Sequence, residues 1–143
     1  MVGTSGIYSN CSRDIMYGID SDFAIAVLKG VPEASALLEK METDGFIFIS
    51  SISVFEMAFT SKGISKKREQ ALLNFLDTLK VIPLSKEIAL HASRIGTQLA
   101  KSGKMVHPMD LLIGVTALEN GLILVTNNIK HFSRIKDLKV LGW

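Results

Sequence analysis

Residues 107–128 read HPMDLLIGVTALENGLILVTNN, and the order of secondary structure in these residues indicates the fold class. Apolar residues recur at helical spacing after Asp110, which predicts a helix with one apolar face. They are Leu111, Leu112, Val115 and Leu118. The Asn-Gly pair at 120–121 tolerates positive φ and is expected to end that helix. Residues 122–125 form a continuous apolar run, as in a strand buried on both faces of a parallel sheet, and polar residues 126–128 follow it.

The rest of the chain continues this alternation of strands and helices. Apolar runs predict further strands at 16–19, 46–49, 81–82 and 138–141. Helices are expected between them, each marked by apolar residues three and four positions apart. The alternation predicts an α/β fold, a three-layer α-β-α sandwich with a mainly parallel sheet of about five strands.

Composition narrows the class of protein. A length of 143 residues fits one domain, and 48% hydrophobic residues allow a sizeable core. No apolar run reaches the ~18 residues that cross a bilayer, so no membrane association is expected. The single cysteine, Cys11, excludes an internal disulfide and favours a reducing cytoplasmic location. A net charge of +2 does not by itself indicate nucleic-acid binding.

The first residues differ from the rest. Residues 1–15, MVGTSGIYSNCSRDI, are rich in Ser, Gly and Asn and show no hydrophobic periodicity. They lack the charged start and apolar segment of a signal peptide. We interpret residues 1–15 as a tag-like or disordered extension and assign the single domain to residues 16–143.

Three acidic residues occupy positions of the same kind. Asp20 ends the first predicted strand, Glu56 lies one turn into the helix after the second, and Asp110 begins the helix before the fourth. Ligands of open α/β sheets bind beyond the carboxyl ends of the strands, so these positions are expected near one edge. Clustered carboxylates repel one another, and their oxygen atoms select a hard cation such as Mg²⁺ or Mn²⁺.

Each acid also has a purely structural explanation. Asp20 could cap the helix that follows it. Ser53 and Glu56 have the spacing of a capping box, in which Glu56 would only satisfy a backbone N–H. Asp110 could complement the helix dipole. Spacing alone therefore leaves the function undecided.

Three blocks of the sequence resemble the motifs of the PIN domain family. They are MYGIDSD at 16–22, SSISVFEM at 50–57 and PMDLLIGVTALENGLILVTNN at 108–128. The resemblance extends over residues 16–143 and is closest to the virulence-associated protein C (VapC) group. It implies a Mg²⁺- or Mn²⁺-dependent ribonuclease that is the toxin of a toxin–antitoxin pair. It also implies an RNA substrate, a small antitoxin as partner, and a homodimer.

The resemblance also implies roles for particular residues. Asp20, Glu56 and Asp110 would hold the metal and, with Asn128, form the catalytic site. The hydroxyl groups of Ser21 and Thr126 would position the substrate.

Two positions depart from the family pattern. Asp22 stands where asparagine is common and adds a carboxylate. Asn128 stands where many members have aspartate. It can still orient a water or give a neutral carbonyl ligand. Because Asn128 adds no charge, we expect either one-metal chemistry or recruitment of a second metal only with substrate.

Other functions remain open at this point. The chain could be an RNA-processing nuclease without an antitoxin, or a catalytically weak RNA-binding module in which Asn128 marks a degraded site. Basic residues around the expected cleft are candidates for phosphate contacts. They are Lys101, Lys104, Lys130, Arg134 and Lys136. The cluster Lys62, Lys66, Lys67 and Arg68 is interpreted as a solvated face, with phosphate contacts as the alternative. Phe55, Met57 and Phe59 are assigned to the core, with an apolar patch for an antitoxin helix or a second subunit as the alternative.

Overall fold

The computed structural model describes residues 15–143, and this part of the chain contains five strands and seven helices. The strands are β1 (Ile15–Ile19), β2 (Gly45–Ser50), β3 (Lys80–Ile82), β4 (Ile123–Val125) and β5 (Lys139–Leu141). The helices are α1 (Ser21–Leu28), α2 (Pro32–Asp44), α3 (Ser51–Thr60), α4 (Lys66–Asp77), α5 (Lys86–Lys101), α6 (Pro108–Glu119) and α7 (Ile129–Phe132). Ile15 belongs to β1 and not to the proposed extension, whose residues 1–14 lie outside the described residues.

The five strands form one sheet in the order β3-β2-β1-β4-β5, and every neighbouring pair is parallel. Side chains on one face of the sheet pack with α1, α2, α3 and α4. Those on the other face pack with α5, α6 and α7. The predicted α/β sandwich of three layers with a parallel sheet is confirmed.

The order in which strands are added to the sheet reverses at β1. The chain runs outward from β1 to β2 and β3, and it then returns to place β4 on the opposite side of β1. Asp20 N–H donates to the Val125 carbonyl at 3.0 Å, so the pairing of β1 with β4 continues to the last residue of the strands. The connections that follow β1 and β4 therefore lead to opposite sides of the sheet, and such a position leaves a crevice beyond the carboxyl ends of the two strands.

Helix α3 begins earlier than the proposed capping box requires. Ser50 is its N-cap, and Ser50 Oγ accepts from Ser53 N–H at 3.0 Å. Ser53 is therefore inside the helix, and the interpretation of Ser53 and Glu56 as a capping box is wrong. The Glu56 carboxylate is left for contacts outside its own helix.

Helix α6 is buried on nearly all sides, so the prediction of one apolar face was too narrow. Its fully covered residues include polar Thr116, whose hydroxyl donates to the Leu112 carbonyl at 2.7 Å. This bond removes the cost of burying the hydroxyl without a partner. The helix ends before Gly121, which has φ +65° as the Asn-Gly pair predicted. None of the helices in residues 15–143 is both long and apolar enough to cross a membrane.

Candidate active site

Asp20 and Thr126 meet where β1 and β4 end. Asp20 is the N-cap of α1, and its Oδ1 accepts from Ser21 N–H at 2.8 Å. Its Oδ2 accepts from Thr126 Oγ1 at 2.8 Å. Only 6% of the Asp20 surface is exposed, so both oxygens are held by donors in a largely desolvated position. Asp20 therefore both caps a helix and presents a carboxylate at the crevice.

Asp22 joins the same network from the first turn of α1. Its Oδ1 accepts from Phe23 N–H at 2.7 Å, and its Oδ2 accepts from Asn127 N–H at 3.0 Å. Thr126 Oγ1 lies 3.3 Å from the same Oδ2. Asp22 thus braces the residues after β4 against α1, and it adds a negative charge beside Asp20.

Glu56 reaches the site from α3. Ser21 Oγ donates to Glu56 Oε1 at 3.2 Å, so the hydroxyl after Asp20 orients the second acid. Burial raises the pKa of Glu56, the Ser21 hydrogen bond opposes this, and the charge of Asp110 adds to the rise. The contact with Ser21 therefore brings the α3 acid to the start of α1.

Asp110 lies in the first turn of α6, whose N-cap is His107. His107 Nδ1 accepts from Met109 N–H at 3.2 Å, so this nitrogen must carry a lone pair for the cap to form. Burial raises the pKa of Asp110, while His107 and His131 lower it and Asp22 raises it. The two imidazoles therefore favour the ionised form of Asp110, whereas burial and the charge of Asp22 disfavour it.

Asn128 completes the group from the residue before α7. Its backbone N–H donates to Thr126 Oγ1 at 3.0 Å. Its Nδ2 lies 3.5 Å from Asp110 Oδ2, a long hydrogen bond. Its Oδ1 contacts His131 Nδ1. Asn128 is thereby joined to Asp110 and, through the Thr126 hydroxyl, to Asp20.

Burial and electrostatic repulsion between the carboxylates raise their pKa values. Burial first, and then the charge of Asp22, raises the pKa of Asp20 from 3.8 to about 7, with a further small rise from Asp110. Ionised together, these groups repel, and a cation among them would relieve the repulsion. Perturbed acids that lie together at the carboxyl ends of strands are candidates for a functional site.

The donor set fits a hard divalent cation in its chemistry, because the side chains that could bind one are carboxylates. Residues 15–143 contain no group of three or more His, Cys, Asp or Glu side chains arranged to hold a metal ion. Mg²⁺ is commonly bound through one or two carboxylates, with waters and substrate phosphates as its other ligands. A Mg²⁺ site with two protein carboxylates would agree with the oxygen donors and with the lack of a three-residue metal group in residues 15–143.

The structure thus brings together all six residues proposed from the sequence. They are Asp20, Ser21, Glu56, Asp110, Thr126 and Asn128. The Thr126 side chain is fully buried, so its hydroxyl orients Asp20 and is not free to contact RNA. The contact of His131 with Asn128 was missed, and the spacing of three residues after Asn128 at a helix start was its only signal.

The assignment of all three α3 side chains around Glu56 to the core was wrong in part. Met57 is buried, whereas Phe55 and Phe59 are 55% and 56% exposed. Their rings stack with centroids 5.5 Å apart, and Lys62 Nζ lies 5.0 Å from the Phe59 centroid. These side chains lie on the outer side of α3, away from the core.

A separate apolar groove of about 770 Å³ lies between α1, α3 and α4. Its lining residues are Ile25, Leu28, Lys29, Met57, Thr60, Ser61, Ile64, Arg68, Ala71 and Leu72. Arg68, which was assigned with its basic neighbours to a solvated face, lies at the border of this groove. Near the acids, Arg134 Nη1 donates to the Met105 carbonyl at 2.7 Å and so fixes the loop before α6.

The parallel sheet with its acidic crevice agrees with the comparison with known families. The PIN domain model matches residues 17–138, and the chain belongs to the PIN domain family. Curated relatives include the tRNA(fMet)-specific endonuclease VapC of Salmonella typhimurium, 29% identical over 131 residues. Ribonuclease VapC2 of Rickettsia felis is 31% identical over 132 residues. Each alignment covers 90% of this chain and 98% of the relative.

Solved structures give the same result. VapBC2 from Rickettsia felis bound to a DNA fragment from its promoter has a chain that matches with a TM-score of 0.82 and 27% identity, covering 90% of this chain and 99% of that one. DNA-bound VapBC from Salmonella typhimurium has a TM-score of 0.79 and 29% identity, covering 90% and 98%. The resemblance to the VapC group is confirmed.

Proposed function

We propose that the chain is a divalent-metal-dependent endoribonuclease that hydrolyses RNA phosphodiester bonds and acts as the toxin of a toxin–antitoxin pair. The observation that supports this most is the acidic crevice, to which three different helices contribute Asp20 as an N-cap, Asp110 from a first turn and Glu56 from the middle of α3. The names of the curated relatives support a ribonuclease. We expect it to act on RNA in the cytoplasm.

Asp20 and Asp110 would hold Mg²⁺ or Mn²⁺ directly, and Glu56 would bind it directly or through a water. When bound, the ion would lower the pKa of an attacking water and stabilise charge on the phosphoryl oxygens. Thr126 holds Asp20, and Ser21 holds Glu56, so two hydroxyl groups fix the directions of two acids. Such donors reduce the reorganisation that substrate binding would otherwise require.

RNA would reach the acids along their basic surroundings. Lys101, Lys104 and Lys130 are exposed on elements that border Asp110 and Asn128. Phosphate contacts of this kind are sequence-independent and weaken with salt. The relative from Salmonella typhimurium is named a tRNA(fMet)-specific endonuclease, which makes tRNA the first substrate to assay.

The antitoxin would occupy the groove between α1, α3 and α4. An apolar floor with Lys29 and Arg68 at its border suits an amphipathic helix that carries acidic residues beside its apolar face. The matched chains of two solved relatives come from complexes named VapBC. The groove is formed in part by α1 and α3, so an occupant there would contact the two helices that position Asp20 and Glu56.

The experiment compares the wild type, Asp110→Asn and Asp77→Asn in cleavage of tRNA with Mg²⁺ or Mn²⁺ and with EDTA. Asp77 is an exposed acid at the end of α4 and provides the matched control. We expect EDTA and Asp110→Asn each to reduce cleavage at least ~100-fold, because metal-site substitutions have effects of this order. Cleavage that stays at the wild-type level both in EDTA and in Asp110→Asn would overturn the proposal. RNA binding without turnover by the wild type would instead support an RNA-binding module.

A further inference from the structure

The side chain of Asn128 lies between a carboxylate and an imidazole. Nδ2 is 3.5 Å from Asp110 Oδ2, and Oδ1 contacts His131 Nδ1. An ionised carboxylate only accepts hydrogen bonds, so the NH₂ end of the amide must face Asp110. The carbonyl end must then face His131, and His131 must donate to it through Nδ1–H.

We propose that His131 is a positioning residue that fixes the direction of the Asn128 amide, so that Asn128 acts as a donor to Asp110 and not as a carbonyl ligand of the metal. This inference rests on the proposed function of the acidic site. His131 lies three residues after Asn128, and α7 places it one helical turn along on the same side. The partner that orients the amide is therefore supplied by the next turn of the chain.

The need for an orienting residue follows from the amide itself. A carboxylate has two equivalent oxygens, and turning it end over end changes nothing. An amide has one donor end and one acceptor end, so the reversed orientation would direct a carbonyl oxygen at Asp110. The two are like partial charges, and the long contact of 3.5 Å would become a repulsive one.

Apart from the contacts with Asp110 and His131, the Asn128 side chain makes no hydrogen bond within residues 15–143. Asn128 precedes α7, but its side chain makes no capping hydrogen bond to that helix. Its backbone N–H is held by Thr126 Oγ1, which fixes the main chain but leaves rotation of the amide free. The contact with His131 is the shorter of the two, so His131 reinforces the amide orientation that Asp110 favours.

His107 offers a contrast on the other side of Asp110. His107 Nδ1 accepts from Met109 N–H, so a neutral His107 carries its proton on Nε2. His131 must carry a proton on Nδ1. The two imidazoles near Asp110 therefore have opposite proton positions, and each is set by a hydrogen bond to a neighbour in its own segment.

The test is a double-mutant cycle on metal binding in the absence of RNA. Mn²⁺ affinity is measured by electron paramagnetic resonance for the wild type, His131→Leu, Asn128→Ala and the double variant. We expect His131→Leu to weaken Mn²⁺ binding about 10-fold, since outer-shell partners of metal ligands have effects of this order. In the Asn128→Ala background the same change should cost less than about twofold, because no amide remains to be oriented.

Three further measurements separate positioning from a structural role. His131→Gln, which keeps a side-chain N–H donor, should recover most of the affinity. His131→Leu should lower kcat on RNA while KM stays within about twofold. The Asn128 side-chain ¹⁵NH₂ signals should shift in His131→Leu. His91→Leu is the matched control, because His91 Nδ1 also contacts a side-chain oxygen, that of Glu119, away from the acids.

Two results would overturn the inference: an equal loss in both backgrounds, which would mean that His131 acts on the metal directly, or no loss in either. A wild type that neither binds Mn²⁺ nor cleaves RNA would instead overturn the proposed function. In that case the ¹⁵NH₂ signals still test the orientation of Asn128, because they need no metal. Thermal unfolding of each variant shows whether it is folded.

Discussion

Thr126 Oγ1 donates to Asp20 Oδ2 at 2.8 Å, across 106 residues of sequence. Both residues follow the last residue of a strand, and their strands are neighbours in the sheet. The fully buried hydroxyl also accepts from Asn128 N–H at 3.0 Å. One threonine therefore orients a carboxylate from β1 and the residue that begins α7.

Thr126→Val keeps the shape of this side chain and removes its hydrogen bonds. We expect it to lower the free energy of unfolding by about 1–3 kcal/mol at neutral pH, because a buried carboxylate loses a donor. RNA cleavage should fall together with Mn²⁺ affinity. Thr97→Val, on the exposed surface of α5, should change stability by less than about 0.5 kcal/mol. Urea unfolding measures both, and equal effects would contradict this role of Thr126.

Asp20 makes the stability of the metal-free protein depend on pH. Its pKa is about 7 in the folded state against 3.8 as the ordinary value, so the folded state binds more protons between these limits. The contribution of Asp20 to stability is therefore fully present below pH 4 and is lost as pH rises through about 7. The ionised Asp20 carboxylate that a metal would bind is therefore the form that destabilises the fold when no metal is bound.

The measurement is urea unfolding in EDTA from pH 4 to pH 8. As pH rises, the free energy of unfolding of Asp20→Asn should increase relative to that of the wild type by on the order of 4 kcal/mol. This is the free energy that corresponds to a pKa raised from 3.8 to about 7. Asp77→Asn should follow the wild type throughout. Wild-type and Asp20→Asn curves that run parallel would contradict the raised pKa.

The groove offers a way to separate toxicity from inhibition. Leu28 and Ile64 border it and are each 37% exposed, so a charge there should be tolerated by the fold. We expect Leu28→Glu to weaken antitoxin binding at least ~10-fold, since a carboxylate would be buried against an apolar helix, while RNA cleavage is retained. Leu73→Glu, exposed on α4 outside the groove, is the control. Calorimetric titration with the antitoxin decides between them.

The homodimer implied by the VapC resemblance stays a prediction, and the stacked pair Phe55 and Phe59 provides its test. Two exposed aromatic rings on one side of a helix are typical of an interface. If a second copy covers them, Phe59→Asp should shift the sedimentation coefficient from dimer to monomer. Leu73→Asp should not. A wild type that sediments as a monomer contradicts the dimer itself.

Much of the fold was readable from the sequence because its signals are local. Apolar runs marked the strands, and Asn120-Gly121 marked the end of α6. The acids were found because they follow strand ends or begin helices, where a parallel sheet gathers its ligands. The resemblance to a known family then supplied their roles.

The parts that were missed depend on distant contacts. Ser50 and Ser53 both suit an N-cap, and only the position of β2 decides that Ser50 takes the role. Phe55 and Phe59 are apolar but exposed, because α3 turns Met57 and not these rings toward the core. The contact of His131 with Asn128 required the direction of a side chain, which spacing does not determine.

The bond between Thr126 and Asp20 has a consequence for synthesis of the protein. A ribosome makes Asp20 early, yet the hydroxyl that orients its carboxylate is added 106 residues later. Trp143 N–H also donates to Asn127 Oδ1 at 2.8 Å, which joins the residues after β5 to the residue next to Thr126. A nascent chain that has not yet reached β4 therefore lacks the donor that holds the buried Asp20 carboxylate.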